Sequence, residues 1–177
     1  PFDVSLDLAK KGHLEKLNGI AGLKNFPESA QVAWQSDDGK NTHCMPMASV
    51  IHGFFYNKKI FADLGLAVPV TEADFFAACD KIKAAGKATP LALGTADQWE
   101  TNQIVFTSIG PNHWKGEEGR KGLISGKQKF TDPAFVSTWE TMAKWAPYMS
   151  KGYQAQTYGD SQNLFGAGRA AIYPTGS

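Results

Sequence analysis

Residues Asp97-Gln98-Trp99-Glu100 place two carboxylates and an amide around one indole. That combination suits a neutral polyhydroxylated molecule. The C–H face of its ring lies on the aromatic surface while its hydroxyls hydrogen-bond to carboxylate and amide. Trp99 also reads as a core anchor, being the first apolar residue of an expected helix. His52 is the second group with chemical reach. It stands in an otherwise apolar stretch, Met47 to Tyr56, where a polar side chain must find a partner or face a cavity. General base is one of the roles open to it.

Signatures of catalysis are absent elsewhere. The chain has no GxSxG, no HExxH and no phosphate-cradling GxxxxGK loop. Gly166-Ala167-Gly168-Arg169-Ala170-Ala171 matches GxGxxA, but that fingerprint must follow a strand and open a helix. Here a helix precedes it and a strand follows. His13, His43, His52 and His113 show no metal-ligand spacing, and Cys44 and Cys79 form no CxxC. Whether the two cysteines pair is left open, with Cys79 on the apolar face of a helix. No metal, no cofactor and no enzymatic activity are expected.

Composition narrows the partners. Lysine and arginine number 18 against 17 acidic residues and form no long block, so the footprint of a nucleic-acid binder is missing. A neutral or weakly charged ligand fits better. No apolar run reaches the roughly 20 residues of a membrane-spanning helix, and no signal peptide or lipidation motif is seen. A processed secreted protein or a segment of a longer chain is expected.

The elements that would carry these residues follow from periodicity and caps. Asp3 to Leu17 reads as a helix broken near Gly12, and Gln31 to Trp34 with Thr42 to Met45 as a hairpin around Asp38-Gly39. Met47 to Tyr56 reads as a strand buried on both faces of a parallel sheet, followed by a short helix from Lys59 to Leu64. Thr71 with Asp74 opens a helix whose stripe is Phe75, Cys79 and Ile82, ended by Gly86. Thr89 to Leu93 is a strand, and Trp99 to Ile109 a helix with Val105, Phe106 and Ile109 inward. Asp132-Pro133 starts a helix with Phe135, Trp139, Met142 and Ala146 on one face. Asp160 caps a further helix before the strand Ala170 to Tyr173, and Lys115 to Lys129 is expected to be a mobile surface segment. Strands alternating with helices define an α/β class with a largely parallel sheet. In open α/β sheets, ligands bind at the carboxyl ends of strands, which is where the Gly94 to Gln98 loop lies.

An ordered series of motifs resembles one family. Leu8-Ala9-Lys10-Lys11-Gly12-His13-Leu14-Glu15-Lys16-Leu17 comes first, then Gly39-Lys40 and Met45-Pro46. Phe54-Phe55-Tyr56-Asn57-Lys58-Lys59-Ile60-Phe61 and Gly65-Leu66 follow. Next are Pro69 to Phe75, lacking the usual Thr-Trp pair, then Lys83 to Gly86 and Pro90 to Gly94 with Trp99 behind them. Phe165 to Ile172 and Gly176-Ser177 close the series. Together they are similar to the extracellular solute-binding proteins of ABC importers, in the branch that includes maltose- and other sugar-binding proteins.

The resemblance implies a type II periplasmic-binding-protein-like fold, two α/β lobes joined by crossover strands around a cleft. Residues 1–45 would be the C-terminal part of a lobe 1 segment, 46–58 the hinge crossover and 59–177 an incomplete lobe 2. It implies a receptor that captures a sugar or related solute between the lobes and delivers it to ABC permease subunits. Trp99 would stack on the ring, with Asp97, Gln98 and Glu100 bonding hydroxyls. Ser49 and His52 would reach the cleft from the crossover, and Gly176 and Ser177 would bring backbone near the ligand. A monomer in the periplasm, its signal peptide removed, is implied, or a lipid-anchored extracellular protein in a Gram-positive organism. A polyamine or other small polar ligand remains open, as does an enzyme using His52. Ferric ion would want adjacent tyrosines, which Tyr153 and Tyr158 do not supply.

Overall fold

The computed structural model of the chain describes residues 2–36, 38–48 and 50–176. These form two compact units, Pro1–Val50 and Ile51–Ser177. In the first, helix α1 (Phe2–Lys10) ends two residues before Gly12, which takes φ 77°. The expected continuation to Leu17 is not helical. Leu17 instead donates its N–H to Thr42 O at 2.7 Å, and the Asn18 side chain accepts from Thr42 N and donates to Lys40 O. Helix α2 (Glu28–Val32) replaces the first arm of the expected hairpin, whose ladder shrinks to the single antiparallel bridge Gln35↔Thr42.

The second unit is built on a three-stranded sheet of order β1-β3-β2, formed by β1 (His52–Tyr56), β2 (Thr89–Leu91) and β3 (Ala170–Gly176). β2 runs parallel to β3, as a long helical crossover between them allows. β1 runs antiparallel to β3, with His52 opposite Gly176 and Tyr56 opposite Ile172, so the sheet is mixed rather than largely parallel. β1 and β3 are not consecutive strands, and alternation of elements along a chain carries no information about the direction of such neighbours. β1 is also an edge strand. Phe54 and Phe55 are each 42% exposed, so the strand is not buried on both faces. Asn57 ends it and caps α3 (Lys58–Asp63), its side-chain oxygen accepting from Lys59 N and Ile60 N at 3.0 and 3.1 Å.

Helix α4 (Glu72–Ala85) opens with the expected Thr71–Asp74 capping box and stops at Gly86 in the left-handed conformation. Next, Glu100–Val105 is a π-helix, where the periodicity had indicated an α-helix, before α5 (Phe106–His113). α6 (Glu117–Ile124) occupies the segment expected to be mobile, its first turn holding Arg120 to Glu117. α7 (Pro133–Ala143) starts after Asp132, whose carboxylate accepts from Lys129 N rather than capping the helix. The main core joins Ile82, Leu91, Val105, Phe135, Trp145 and Ile172. Of the expected α7 stripe, Phe135 and Met142 are buried and Trp139 is 40% exposed, while Trp145, just past the end of the helix, is the buried residue in place of Ala146. Both cysteines are free, Cys79 fully buried.

The last helix, α8 (Tyr158–Gly166), is capped by Thr157, with Asp160 as the reciprocal partner rather than the cap itself. The Thr157 hydroxyl accepts from Asp160 N at 3.2 Å, and the Asp160 carboxylate accepts from Thr157 N at 2.9 Å. Gly168, at φ 68°, then turns the chain into β3, so the GxGxxA match lies in a helix-to-strand connection. Thr157→Ala removes one of two reciprocal bonds and should lower stability by about 1 kcal/mol. Denaturant titration checks this, and an unchanged midpoint would show that the box contributes nothing.

Candidate functional site

Past β2 the chain stays beside β3, Ala92 N donating to Ile172 O at 2.8 Å, and turns away at Gly94. It does so by lying directly on the segment that precedes α8. Thr95 N donates to Tyr153 O at 3.0 Å and Ala96 N to Gln156 O at 3.2 Å. A Cβ at Gly94 would overlap the Gln156 carbonyl, so only glycine permits this approach. Gln98 then takes φ 59°, a left-handed conformation unusual for a residue with a side chain. That turn exposes Trp99 and sends Glu100 inward.

Asp97 is tied down by its own carboxylate, which accepts from Tyr158 N at 2.7 Å. Tyr158 is the first residue of α8, so an anionic group sits where the helix dipole favours it. The same contact sets Trp99 beside Tyr158, ring centroids 4.8 Å apart and planes inclined at 51°. Trp99 keeps 39% of its surface open. The Tyr158 hydroxyl is hydrogen-bonded with Thr175 Oγ1 at 3.2 Å, fixing the second ring to β3. Sequence reasoning missed Tyr158 and Thr175 at this place. The Thr157-x-x-Asp160 spacing was the available signal, because it sets Tyr158 at the mouth of a helix.

Glu100 behaves differently from its neighbours. Its side chain is 1% exposed, and neither carboxyl oxygen has a hydrogen-bond partner. Burial pushes the carboxyl up to about 7. The Ser161 hydroxyl and the Gly94 N–H oppose that rise, and the Asp97 charge adds to it. The buried Tyr173 hydroxyl also lacks a partner, and burial likewise drives it upward.

Of the residues singled out in the sequence, Asp97, Gln98, Trp99 and Glu100 share one loop at the carboxyl end of β2. Gly176 ends the neighbouring β3, and His52, its partner in register, begins β1 at the same edge of the sheet. His52 is exposed, with Nδ1 3.4 Å from Thr107 Oγ1. Ser49 and Ser177 lie outside the described residues. A cavity of about 510 Å³ elsewhere in this unit, lined by Phe54, Phe75, Val70 and Trp145 among others, contains none of these residues. Among the described residues, no group of three His, Cys, Asp or Glu side chains is arranged to hold a metal ion.

The mixed sheet with its flanking helices is that of the type II periplasmic-binding proteins. A chitin oligosaccharide binding protein superposes with a TM-score of 0.85 at 28% identity, over 97% of this chain and 43% of that one. The solute-binding protein RafE in complex with raffinose gives 0.76 at 26% identity, over 98% and 46%. The sequence model of the bacterial extracellular solute-binding proteins matches residues 1–177, and the chain belongs to that family. A multiple sugar-binding protein of Streptococcus mutans is 24% identical over 182 residues, spanning 96% of this chain and 41% of its own length. The chain therefore spans less than half the length of the relatives it matches. No helix among the described residues is long and apolar enough to cross a membrane.

Two outcomes follow from this geometry. Gly94→Ala forces two backbones apart and should cost about 3 kcal/mol in chemical denaturation, with a wild-type midpoint contradicting the close approach. Glu100 holds its proton in the folded state above the ordinary value of 4.5 and releases it on unfolding. Stability should therefore fall as pH rises from about 4.5 to about 7, by up to roughly 3 kcal/mol. Glu100→Gln should remove that decline when unfolding is measured across the same window.

Proposed function

We propose that this chain is part of the solute receptor of an ABC importer, and that the receptor captures a sugar or related polyhydroxylated solute. The observation that carries the reading is the exposed Trp99 side chain, packed against Tyr158, at the carboxyl ends of β2 and β3. A pyranose ring lies on the indole through its C–H bonds, while the free oxygen of Asp97 and the amide of Gln98 accept and donate hydroxyl hydrogen bonds. The main-chain groups of Gly176 lie at the same end of the sheet, where His52 begins β1, and Ser49 and Ser177 complete the proposed set. The named ligands of the relatives, chitin oligosaccharide, raffinose and multiple sugars, support the same class.

In the whole receptor, residues 1–45 belong to one lobe, 46–58 cross the hinge and 59–177 belong to the other. Solute bridges the lobes and shifts the protein toward a closed state that the permease subunits recognise. The receptor works as a monomer in the periplasm, or anchored by lipid outside a Gram-positive cell. A cationic ligand such as a polyamine fits less well, because Asp97 is already engaged by α8 and Glu100 is buried. Enzymatic use of His52 also fits less well. Its neighbour Thr107 directs its hydroxyl to the Gln103 carbonyl of the preceding π-helix, so it offers no activated nucleophile.

Calorimetric titration of the full-length protein with chito-oligosaccharides, raffinose, maltose and spermidine tests the reading. Saturable binding of a sugar is expected. Trp99→Ala should weaken it by about 30-fold, near 2 kcal/mol, and Tyr158→Ala by about tenfold. Saturable binding of spermidine alone, or sugar binding indifferent to Trp99→Ala, would overturn it.

A further inference from the structure

The two outer strands of the sheet differ in what meets their second edge. That of β2 is met by Met149, which bridges Leu91, whereas that of β1 meets no strand among the described residues. Register fixes where the β1 main chain points. Asn57 N donates to Ala171 O at 2.8 Å, so the pairs that exchange bonds across this antiparallel ladder are Phe55 with Tyr173 and Gly53 with Thr175. The N–H groups of Phe54 and Tyr56 and the Phe54 carbonyl therefore point the other way, off the open edge.

Side chains alternate across the same strand, Phe54 and Tyr56 on one face and Phe55 on the other. Phe54 and Tyr56 line the cavity of about 510 Å³, whose wall continues through Val68, Val70, Phe75 and Trp145. Phe54 and Phe55 are both half-exposed, and Val68 and Val70 are exposed beside them. An edge meant for solvent is blunted by proline, by charge or by a bulge. The β1 sequence, His52-Gly53-Phe54-Phe55-Tyr56, has no proline, lysine or acidic residue, and its register runs unbroken from His52↔Gly176 to Tyr56↔Ile172. Aromatic residues on both faces suit a strand that is paired and covered on both sides.

We propose that β1 is an interior strand in the whole receptor: a further strand, from the part of the receptor's own chain outside residues 1–177, pairs with its open edge and lays alternate apolar side chains over the cavity and over Phe55. The chain spans 41% of the length of the Streptococcus mutans relative and 43% of the chitin oligosaccharide binding protein, so more than half of such a receptor remains to supply that strand. A partner that comes and goes would leave Phe54, Phe55 and Val70 in water whenever it is away. A small molecule could fill the cavity but would leave the outward main-chain groups along the edge unpaired. The inference rests on the chain's being part of a longer receptor, as proposed above, and not on which solute that receptor takes. It bears on the site all the same, because β1 brings His52 to the end of the sheet where Gly176 lies, and pairing on both sides holds that end in place.

The test is NMR on the perdeuterated full-length protein without added sugar. The Phe54 and Tyr56 amides should exchange with solvent at least roughly 1,000-fold more slowly than unprotected amides, as the inward Phe55 amide does. Each should also show a cross-strand amide contact to a residue outside 1–177. Rapid exchange at Phe54 and Tyr56 with Phe55 protected overturns the inference, as does protection that appears only when raffinose or a chito-oligosaccharide is added. Amide contacts from β1's open edge to residues within 1–177 would assign that edge to a second copy of the chain and overturn it too. If the edge is paired as expected and no sugar binds, the sugar reading fails and the covered edge stands.

Discussion

The bond between the Asp97 carboxylate and the first N–H of α8 is the contact on which the candidate site depends. It joins a loop at the end of one strand to a helix that packs on the next. Without it, Trp99 and Tyr158 would have no fixed relation, since 61 residues separate the two partners of that bond along the chain. The bond is charge-assisted and lies at the positive end of a helix dipole, so it is among the stronger hydrogen bonds available to an exposed loop. It acts together with the Gly94 approach: the absent side chain lets two backbones meet, and the carboxylate then pins the loop in register.

The same arrangement divides the labour among four consecutive residues. Asp97 builds, Gln98 bends the chain through a left-handed turn, Trp99 faces outward and Glu100 goes in. The π-helix that begins at Glu100 widens the first turns after this bend, before regular α-helix resumes at Phe106. π-Turns recur at functional sites because they rotate the residues that follow relative to an α-helical register. The proposed binding surface is therefore held by backbone geometry as much as by side-chain contacts.

Much of this was legible in the sequence where the signal was local. The Thr71–Asp74 box, the stop at Gly86, the inward Val105, Phe106 and Ile109, and the loop holding Trp99 all rest on neighbours within a few positions. What could not be read depends on distant partners. The direction of β1 is set by β3, more than a hundred residues on, and its exposure by its place at the sheet edge. Tyr158 gave no periodic signal, and its importance comes from Asp97. Glu100 looked like one more polar residue beside an aromatic, and only the packing of α8 and β3 shows that it is enclosed. Asp160 reads as a cap from its place ahead of Leu164 and Phe165, but Thr157 supplies the oxygen that capping geometry requires.

The central claim is that solute lies on Trp99 with Tyr158 behind it. A crystal structure of the full-length receptor with a bound oligosaccharide tests this most directly. The account predicts a sugar ring stacked on the exposed indole of Trp99 at about 4 Å, with a hydroxyl on the free oxygen of Asp97. A ligand seated against other residues, with Trp99 left in solvent, would contradict it.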